Sequence, residues 1–308
     1  MAHANAGGDV ATESEEYRLL VAVRNPGHVS QLMRTATDLA RMEGGSIHVV
    51  SVITKPHDSP FGIFDDETIR NEFAGDRKDI LDRSISAGEG TGVDVGGSVA
   101  VARRVSNGIL DTAATIDADG LLIGWDGSTS RSDAVLGSTI DAMIERAPCD
   151  VFVERIGTLA DGVSSVLVPV AGSPHANLAV RAGCAIATGN ESRLCLVSVA
   201  AGEVDHQTAE RNLEMAAETL DGIDIGRDVA VEMSVIDAED VVEALVEEAP
   251  RHDVVSMGAT RGGTLRRRLI GSIPLQVTNR IEPAVLLSRR WTGPSKVTQL
   301  LGRLRRSS

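Results

Sequence analysis

The sequence contains two copies of one pattern, and this repeat limits the folds that the chain can adopt. The first copy runs from about Tyr17 to Arg155 and the second from about Ser165 to Arg289. Each copy opens with an apolar run, YRLLVAV or SVLVPV, and continues with further apolar runs that alternate with amphipathic helical stretches. Continuous apolar strands that alternate with helices are typical of a parallel sheet covered by helices on both faces.

We therefore predict an α/β protein with two tandem domains, each with a five-stranded parallel sheet and helices on both faces. The predicted boundaries are a disordered N-terminal tail at 1–16, a first domain at 17–156, a linker at 157–164, a second domain at 165–289 and a basic C-terminal tail at 290–308. The length of 308 residues agrees with two domains, because single cores stop growing at roughly 250–300 residues.

Glycines follow the predicted fourth strand of each copy at a regular spacing. The first copy has Gly124, Gly127 and Gly137-Ser138, and the second has Gly258, Gly262 and Gly271-Ser272. Open α/β sheets bind ligands beyond the carboxyl ends of their strands. A helix that starts at Gly-Ser would present free amide groups to an anion such as phosphate. A Gly-Ser pair before a helix can also be no more than an N-cap, and the local residues leave both interpretations open.

This order of elements and this glycine spacing resemble the universal stress protein family in its tandem form. The resemblance covers nearly the whole chain outside the two tails, and it implies two adenine nucleotide alpha hydrolase-like domains. It also implies sites for ATP or AMP, with or without Mg²⁺. The residues that it assigns to these sites are Ala22, Arg24, Val52, Gly124, Gly127, Gly137, Ser138 and Thr139 in the first copy, and Pro169, Ala171, Val199, Gly258, Arg261, Gly262, Gly271 and Ser272 in the second.

The chain departs from the family pattern in both copies. Nucleotide-binding members typically end the first strand with Pro-x-Asp, whereas here the endings are Ala22-Val23-Arg24 and Pro169-Val170-Ala171. In the second copy Arg261 stands where the family has bare backbone, and it could contact a phosphate or fill the vacated space. In the first copy Asp126 and Asp133 would lie close to phosphate charge. We therefore expect nucleotide binding that is weak or limited to one site.

The chain looks most like the tandem modules that accompany or are fused to amino-acid permeases, which implies a regulatory role without catalysis. Two functions stay open at this point. One is a stress-response module that binds adenine nucleotide, and the other is an interaction module that regulates a transporter or another partner without a nucleotide. The resemblance also implies that the last strands, FVER and AVLLS, pair and join the two domains. A further homodimer of the whole chain is left open.

The charge of the chain restricts its partners. The formal net charge is −14, and Lys55, Lys78 and Lys296 are the lysines among 30 basic residues. Acidic surfaces of this kind are used by proteins of halophiles, so we expect a high-salt cytosol. Nucleic acid is excluded as a partner of the two domains, because binding to phosphate backbones needs a basic face. The basic tail could dock on an acidic protein surface or an anionic membrane, or it could simply balance charge.

The three cysteines, Cys149, Cys184 and Cys195, are odd in number and lack CxxC spacing. This pattern argues against a disulfide framework and a zinc site, so we expect buried thiols. No apolar run reaches the roughly 18 residues that a membrane span needs, and no signal peptide is apparent. These features predict a soluble cytoplasmic protein.

One short segment invites a catalytic interpretation. Ser173, Pro174 and His175 stand side by side, but Ser and His two residues apart on a turn do not form a triad without partners elsewhere. His28 occupies the equivalent turn of the first copy. We therefore expect no hydrolase triad here. We interpret both histidines as solvated turn residues, with a role in pH sensing or ligand contact as the alternative.

Overall fold

The computed structural model describes residues 16–55, 64–126, 136–156, 162–226, 228–259 and 271–293. The predicted site positions Gly127, Arg261 and Gly262 lie outside these ranges, as does Asp133. Most of the predicted linker and the end of the C-terminal tail lie outside them too.

In the first repeat, the described residues form strands and helices in the predicted alternating order. The strands are β1 (Arg18–Ala22), β2 (Ser46–Thr54), β3 (Val95–Ala102), β4 (Gly120–Trp125) and β5 (Asp150–Arg155). The helices are α1 (Val29–Met42), α2 (Asp66–Glu72), α3 (Asp76–Gly88), α4 (Val105–Thr115) and α5 (Ser138–Arg146). The acidic helical segment of this repeat is therefore divided into α2 and α3.

The second repeat follows the same order. Its strands are β6 (Ser165–Pro169), β7 (Arg193–Ala200), β8 (Val231–Asp237), β9 (Val254–Gly258) and β10 (Ala284–Arg289). Its helices are α6 (Pro174–Gly189), α7 (His206–Asp221), α8 (Val241–Glu248) and α9 (Ser272–Thr278).

All of these strands belong to one sheet, in the order β3-β2-β1-β4-β5-β10-β9-β6-β7-β8. Pairing is parallel within each repeat, as predicted. The repeats join where β5 pairs with β10 in antiparallel orientation, with Val153 opposite Leu287. The predicted pairing of the last strands is therefore confirmed. Because this pair is antiparallel, the carboxyl ends of the strands point to opposite edges of the sheet in the two repeats.

The core lies in two apolar layers, one on each face of the sheet. Neighbouring residues of a strand enter different layers, so that Leu19 belongs to one and Leu20 to the other, as expected for side chains that alternate across a strand. Each layer contains residues of both repeats. We call the contact formed by β5 and β10, together with α1 and α6, the seam.

The start of α6 contains Ser173 and His175, and its structure, with that of the cysteines, tests what the sequence predicted for them. Ser173 is the N-cap of α6, and its Oγ accepts a hydrogen bond from the Ala176 amide at 3.1 Å, which is the usual role of serine at this position. His175 is only 7% exposed, and its Nδ1 accepts from the Arg290 amide at 3.0 Å. The prediction of a solvated His175 is therefore wrong, because the chain after β10 passes over the start of α6. The three cysteines are buried and free, as predicted.

His28 lies in a short 3-10 turn before α1, and it is half-buried. Its Nε2 lies 3.2 Å from Nδ2 of Asn25. Among the described residues, no helix is long and apolar enough to cross a membrane.

Candidate functional site

A cavity of about 790 Å³ opens at the carboxyl ends of β1 and β4 in the first repeat. Among its lining residues are the candidates Ala22, Arg24, Gly124, Gly137, Ser138 and Thr139. Val52 lines an adjoining cavity of about 150 Å³, whose wall also includes Ala22 and Arg24. The fold thus brings together the first-repeat candidates that the structure describes.

The glycine of each Gly-Ser pair has a backbone conformation that other residues rarely adopt. Gly137 caps α5 with a φ of 112°, and Gly271 caps α9 with a φ of 93°. Both angles favour glycine because it lacks a Cβ atom. Within the described parts of the chain neither helix has a side-chain cap, so amide groups of the first turn are available to another acceptor. The glycine, and not the following serine, is therefore the cap residue.

The glycines at the ends of β4 and β9 are explained by packing within the protein. A Cβ atom on Gly258 would lie 2.5 Å from the carbonyl carbon of His175, in the backbone of α6. A Cβ atom on Gly124 would lie 3.0 Å from the side chain of Ile156 and 3.4 Å from that of Leu32. These two glycines therefore allow close packing beside the strand, whereas the family resemblance assigned both to ligand sites.

Charged groups from three parts of the chain line the cavity. Arg24 follows β1, Asp126 follows β4, and Asp76 and Arg77 begin α3. Nη1 of Arg77 donates a hydrogen bond to the Arg24 carbonyl oxygen at 2.7 Å, which ties α3 to the end of β1. Arg77 is not among the site residues predicted from the sequence. Its signal is a positive charge in the first turn of a helix, where the helix dipole disfavours it.

Two further groups shape the same end of the first repeat. Trp125 lines the cavity and is only 3% exposed, and its buried Nε1 has no hydrogen-bond partner among the residues that the structure describes. An unsatisfied buried donor is costly unless a ligand or water accepts from it. Asp141 lies in the first turn of α5, and burial raises its pKa, opposed by a hydrogen bond from the Leu136 backbone.

The second-repeat candidates lie at the opposite edge of the sheet. Pro169 ends β6, Val199 lies near the end of β7, and Gly258 ends β9. Ala171 follows β6, while Gly271 and Ser272 begin α9. The helix α9 has seven residues, compared with nine in α5. The assignment of either group of candidates to a ligand stays a prediction.

The chain was compared with known families and structures. The model of the "Universal stress protein family" matches residues 17–155 and 163–289. No curated protein matches the chain significantly. A universal stress protein from Archaeoglobus fulgidus DSM 4304 is similar in structure, with a TM-score of 0.62 and 16% identity, over 89% of this chain and 97% of that one.

Two other solved structures broaden the comparison. The cytoplasmic domain of a prokaryotic cation chloride cotransporter has a TM-score of 0.57 and 14% identity, over 92% of this chain and 99% of that one. A universal stress protein from Archaeoglobus fulgidus in complex with dAMP is 22% identical, with a TM-score of 0.35, over 44% of this chain and 96% of that one. At these identities the likeness concerns the fold, whereas the family model covers most of the sequence in two consecutive regions. The chain therefore belongs to the universal stress protein family, in its tandem form.

Proposed function

We propose that this chain is a regulatory stress-response module whose first repeat binds an adenine nucleotide. The observation that carries the proposal is the cavity of about 790 Å³ that joins the ends of β1 and β4 to the start of α5. Its size lies in the range of about 300–1,000 Å³ that is usual for small-molecule sites. The adenine nucleotide is the ligand that membership of the family suggests.

The residues of this cavity divide into two groups by chemistry. The start of α5, with Arg24 and Arg77, offers the positive charge that suits phosphate groups,. Ala22 and Ile123 offer an apolar wall for a nucleoside, and the buried Nε1 of Trp125 is a hydrogen-bond donor for it. The proposal includes no catalytic step.

The proposed affinity is low, because Asp76 and Asp126 line the same cavity. Their carboxylates repel phosphate charge unless a cation lies between them. We therefore expect Mg²⁺ to increase the affinity for ATP more than the affinity for AMP, which carries less charge. The second repeat is the weaker candidate, since Gly258 is packed against its own helix and α9 is short.

The test is titration calorimetry with ATP and AMP, with and without Mg²⁺, on the whole chain. Arg77→Gln should weaken binding about fivefold, because it removes one positive charge from the cavity wall. Arg83→Gln is the matched control, since Arg83 is an exposed arginine of the same helix and does not line this cavity.

Replacement of Gly127 by a bulky residue should abolish binding at the first repeat with the fold intact. No binding at millimolar nucleotide, or equal losses from the two arginine variants, would refute the proposal.

A second candidate is a protein-interaction module that regulates a transporter or another partner without a nucleotide. The observation that favours it is the absence of an acidic residue at the ends of β1 and β6, where Arg24 and Ala171 stand. The same titrations separate the two functions. A chain that binds neither ATP nor AMP, and releases no nucleotide when it is denatured, supports the interaction module.

A further inference from the structure

The seam contains two cavities that are lined by equivalent residues of the two repeats. Four residues of α6 line the first cavity: Leu178, Arg181, Ala182 and Ala185. The second cavity is lined by the four residues of α1 at the same positions of the repeat: Gln31, Arg34, Thr35 and Asp38. Phe152 of β5 and Leu286 of β10 are likewise equivalent and line one cavity each. The two cavities can therefore be compared directly, as two versions of one place in the fold.

The second of these, the closed seam cavity, is filled by polar side chains. Oε1 of Glu154 accepts from Nε2 of Gln31 at 3.0 Å and from Oγ1 of Thr35 at 3.1 Å, and Oδ2 of Asp38 accepts from Nδ2 of Asn190 at 3.1 Å. Its volume is about 20 Å³, which holds at most about one water molecule.

The first, the open seam cavity, has a volume of about 470 Å³. Ala182 and Ala185 replace the larger Thr35 and Asp38 of the closed cavity, which leaves the space between α1 and α6 unfilled. Its rim is fixed by ion pairs, between Arg181 and Glu43 at 2.5 Å and between Arg290 and Asp150 at 3.3 Å. A cavity of this size with a fixed rim can hold a small molecule.

The lining of the open seam cavity is unusually aromatic for this chain. The whole sequence has four Phe, two Trp and one Tyr, and Tyr17, Phe152 and Trp291 all line this one cavity. Trp291 is held in place because its amide donates to Oδ1 of Asp150 at 2.7 Å. Aromatic rings attract cations through their π faces.

The charge of the lining favours a cation as well. The lining contains three carboxylates, those of Glu43, Asp119 and Asp150, and two guanidinium groups, those of Arg181 and Arg290, so negative groups outnumber positive ones. The pKa of Tyr17 is raised well above its ordinary value by burial and, after that, by these three carboxylates, with Asp150 the strongest. These carboxylates disfavour an anionic ligand for the same reason that they disfavour the phenolate.

We propose that the open seam cavity binds a small organic cation that carries an apolar or aromatic group. This site is separate from the proposed nucleotide site, because Asp119 and Asp150 precede β4 and begin β5, at the opposite edge of the first-repeat strands. It requires both repeats, since α1 and α6 each supply one wall.

The experiment uses benzyltrimethylammonium as the probe, with benzyl alcohol and phenylacetate as its neutral and anionic counterparts. The Trp125→Phe variant of the full chain leaves Trp291 as the single tryptophan, so its fluorescence reports on this cavity. We expect a saturable change with benzyltrimethylammonium, and at least a tenfold weaker response to the other two. No saturable change at millimolar probe, or equal binding of phenylacetate, would overturn the proposal.

A pair of variants tests the position of the site. Asp119→Asn should weaken cation binding about fivefold through loss of one charge. Asp253→Asn is the matched control, because the two residues are equivalent in the repeat and both accept backbone hydrogen bonds, Asp119 from Arg18 and Asp253 from Ser164. Equal effects of the two variants would contradict the assignment.

A third variant tests the volume of the cavity. Ala185→Leu should abolish binding by filling the space between α1 and α6. Circular dichroism tests whether the Ala185→Leu variant is folded. If this variant does not fold, the comparison of Asp119→Asn with Asp253→Asn decides the proposal. Nucleotide titrations are independent of this site, so failure here leaves the proposed function intact.

Discussion

At the scale of single residues, Glu154 is a buried carboxyl group in the seam. It is 5% exposed. Its Oε1 accepts two hydrogen bonds, whereas the buried Oε2 has no partner in the described part of the chain. Burial raises its pKa to about 7, against the opposing hydrogen bonds from Gln31 and Thr35. Burial also raises the pKa of Asp38 to about 7, opposed by a hydrogen bond from Asn190. The folded chain therefore favours protonated carboxyl groups at this position.

These shifts give stability a definite pH dependence. The folded-state pKa of Glu154 lies above the value of about 4.3 that glutamate has in an unfolded chain, so the folded state binds more protons between these values. The free energy of unfolding should therefore fall as pH rises from about 4 to about 7, and level off above that. Glu154→Gln, which has no charge to bury, should reduce this slope and raise stability at pH 8 by about 2 kcal/mol.

Urea unfolding at pH 5 and pH 8 measures this effect. The control is Glu89→Gln, because Glu89 is exposed after α3 and should change neither curve. Equal pH slopes for the Glu154 variant and the unsubstituted chain would show that this carboxyl group does not control the stability of the seam.

At the scale of elements, the packing of α6 on β9 depends on Gly258. Gly258→Ala would place a Cβ atom 2.5–2.6 Å from three backbone atoms of His175 and Ala176, so the helix must move. We expect a loss of about 3 kcal/mol in the free energy of unfolding. The equivalent Gly124→Ala meets only side-chain atoms, at 3.0–3.4 Å, and should cost about 1 kcal/mol. Thermal unfolding of both variants gives the comparison, and equal losses would contradict this account of the two glycines.

Most elements could be predicted from the sequence, and part of the site could not. The strands were predictable because both of their faces are buried, which produces apolar runs such as Leu19, Leu20 and Val21. The contact of Arg77 with the Arg24 carbonyl joins residues 53 positions apart, and no local pattern encodes it. The burial of His175 depends on the chain after β10, which is also distant in sequence. Contacts of this kind depend on how helices and distant chain segments pack on the sheet.

At the scale of the whole molecule, the seam joins the two repeats into one structure. The sheet continues across the seam, and each apolar layer contains residues of both repeats. We therefore expect one unfolding transition for the chain, with equal calorimetric and van't Hoff enthalpies. Differential scanning calorimetry measures both enthalpies. Two resolved transitions would mean that the repeats unfold separately despite the shared sheet.

The antiparallel joint between β5 and β10 also changes what mutation can do to this protein. In a symmetric dimer of single repeats, one substitution at the interface appears on both sides. Each interface residue must therefore be compatible with both symmetry-related environments at once. Fusion of two repeats into one chain removes this constraint, because each side of the joint is encoded separately. One half can then keep Thr35 and Asp38 while the other carries Ala182 and Ala185. A tandem chain can therefore have a filled cavity on one side of the seam and an open one on the other, which a symmetric dimer of identical repeats cannot.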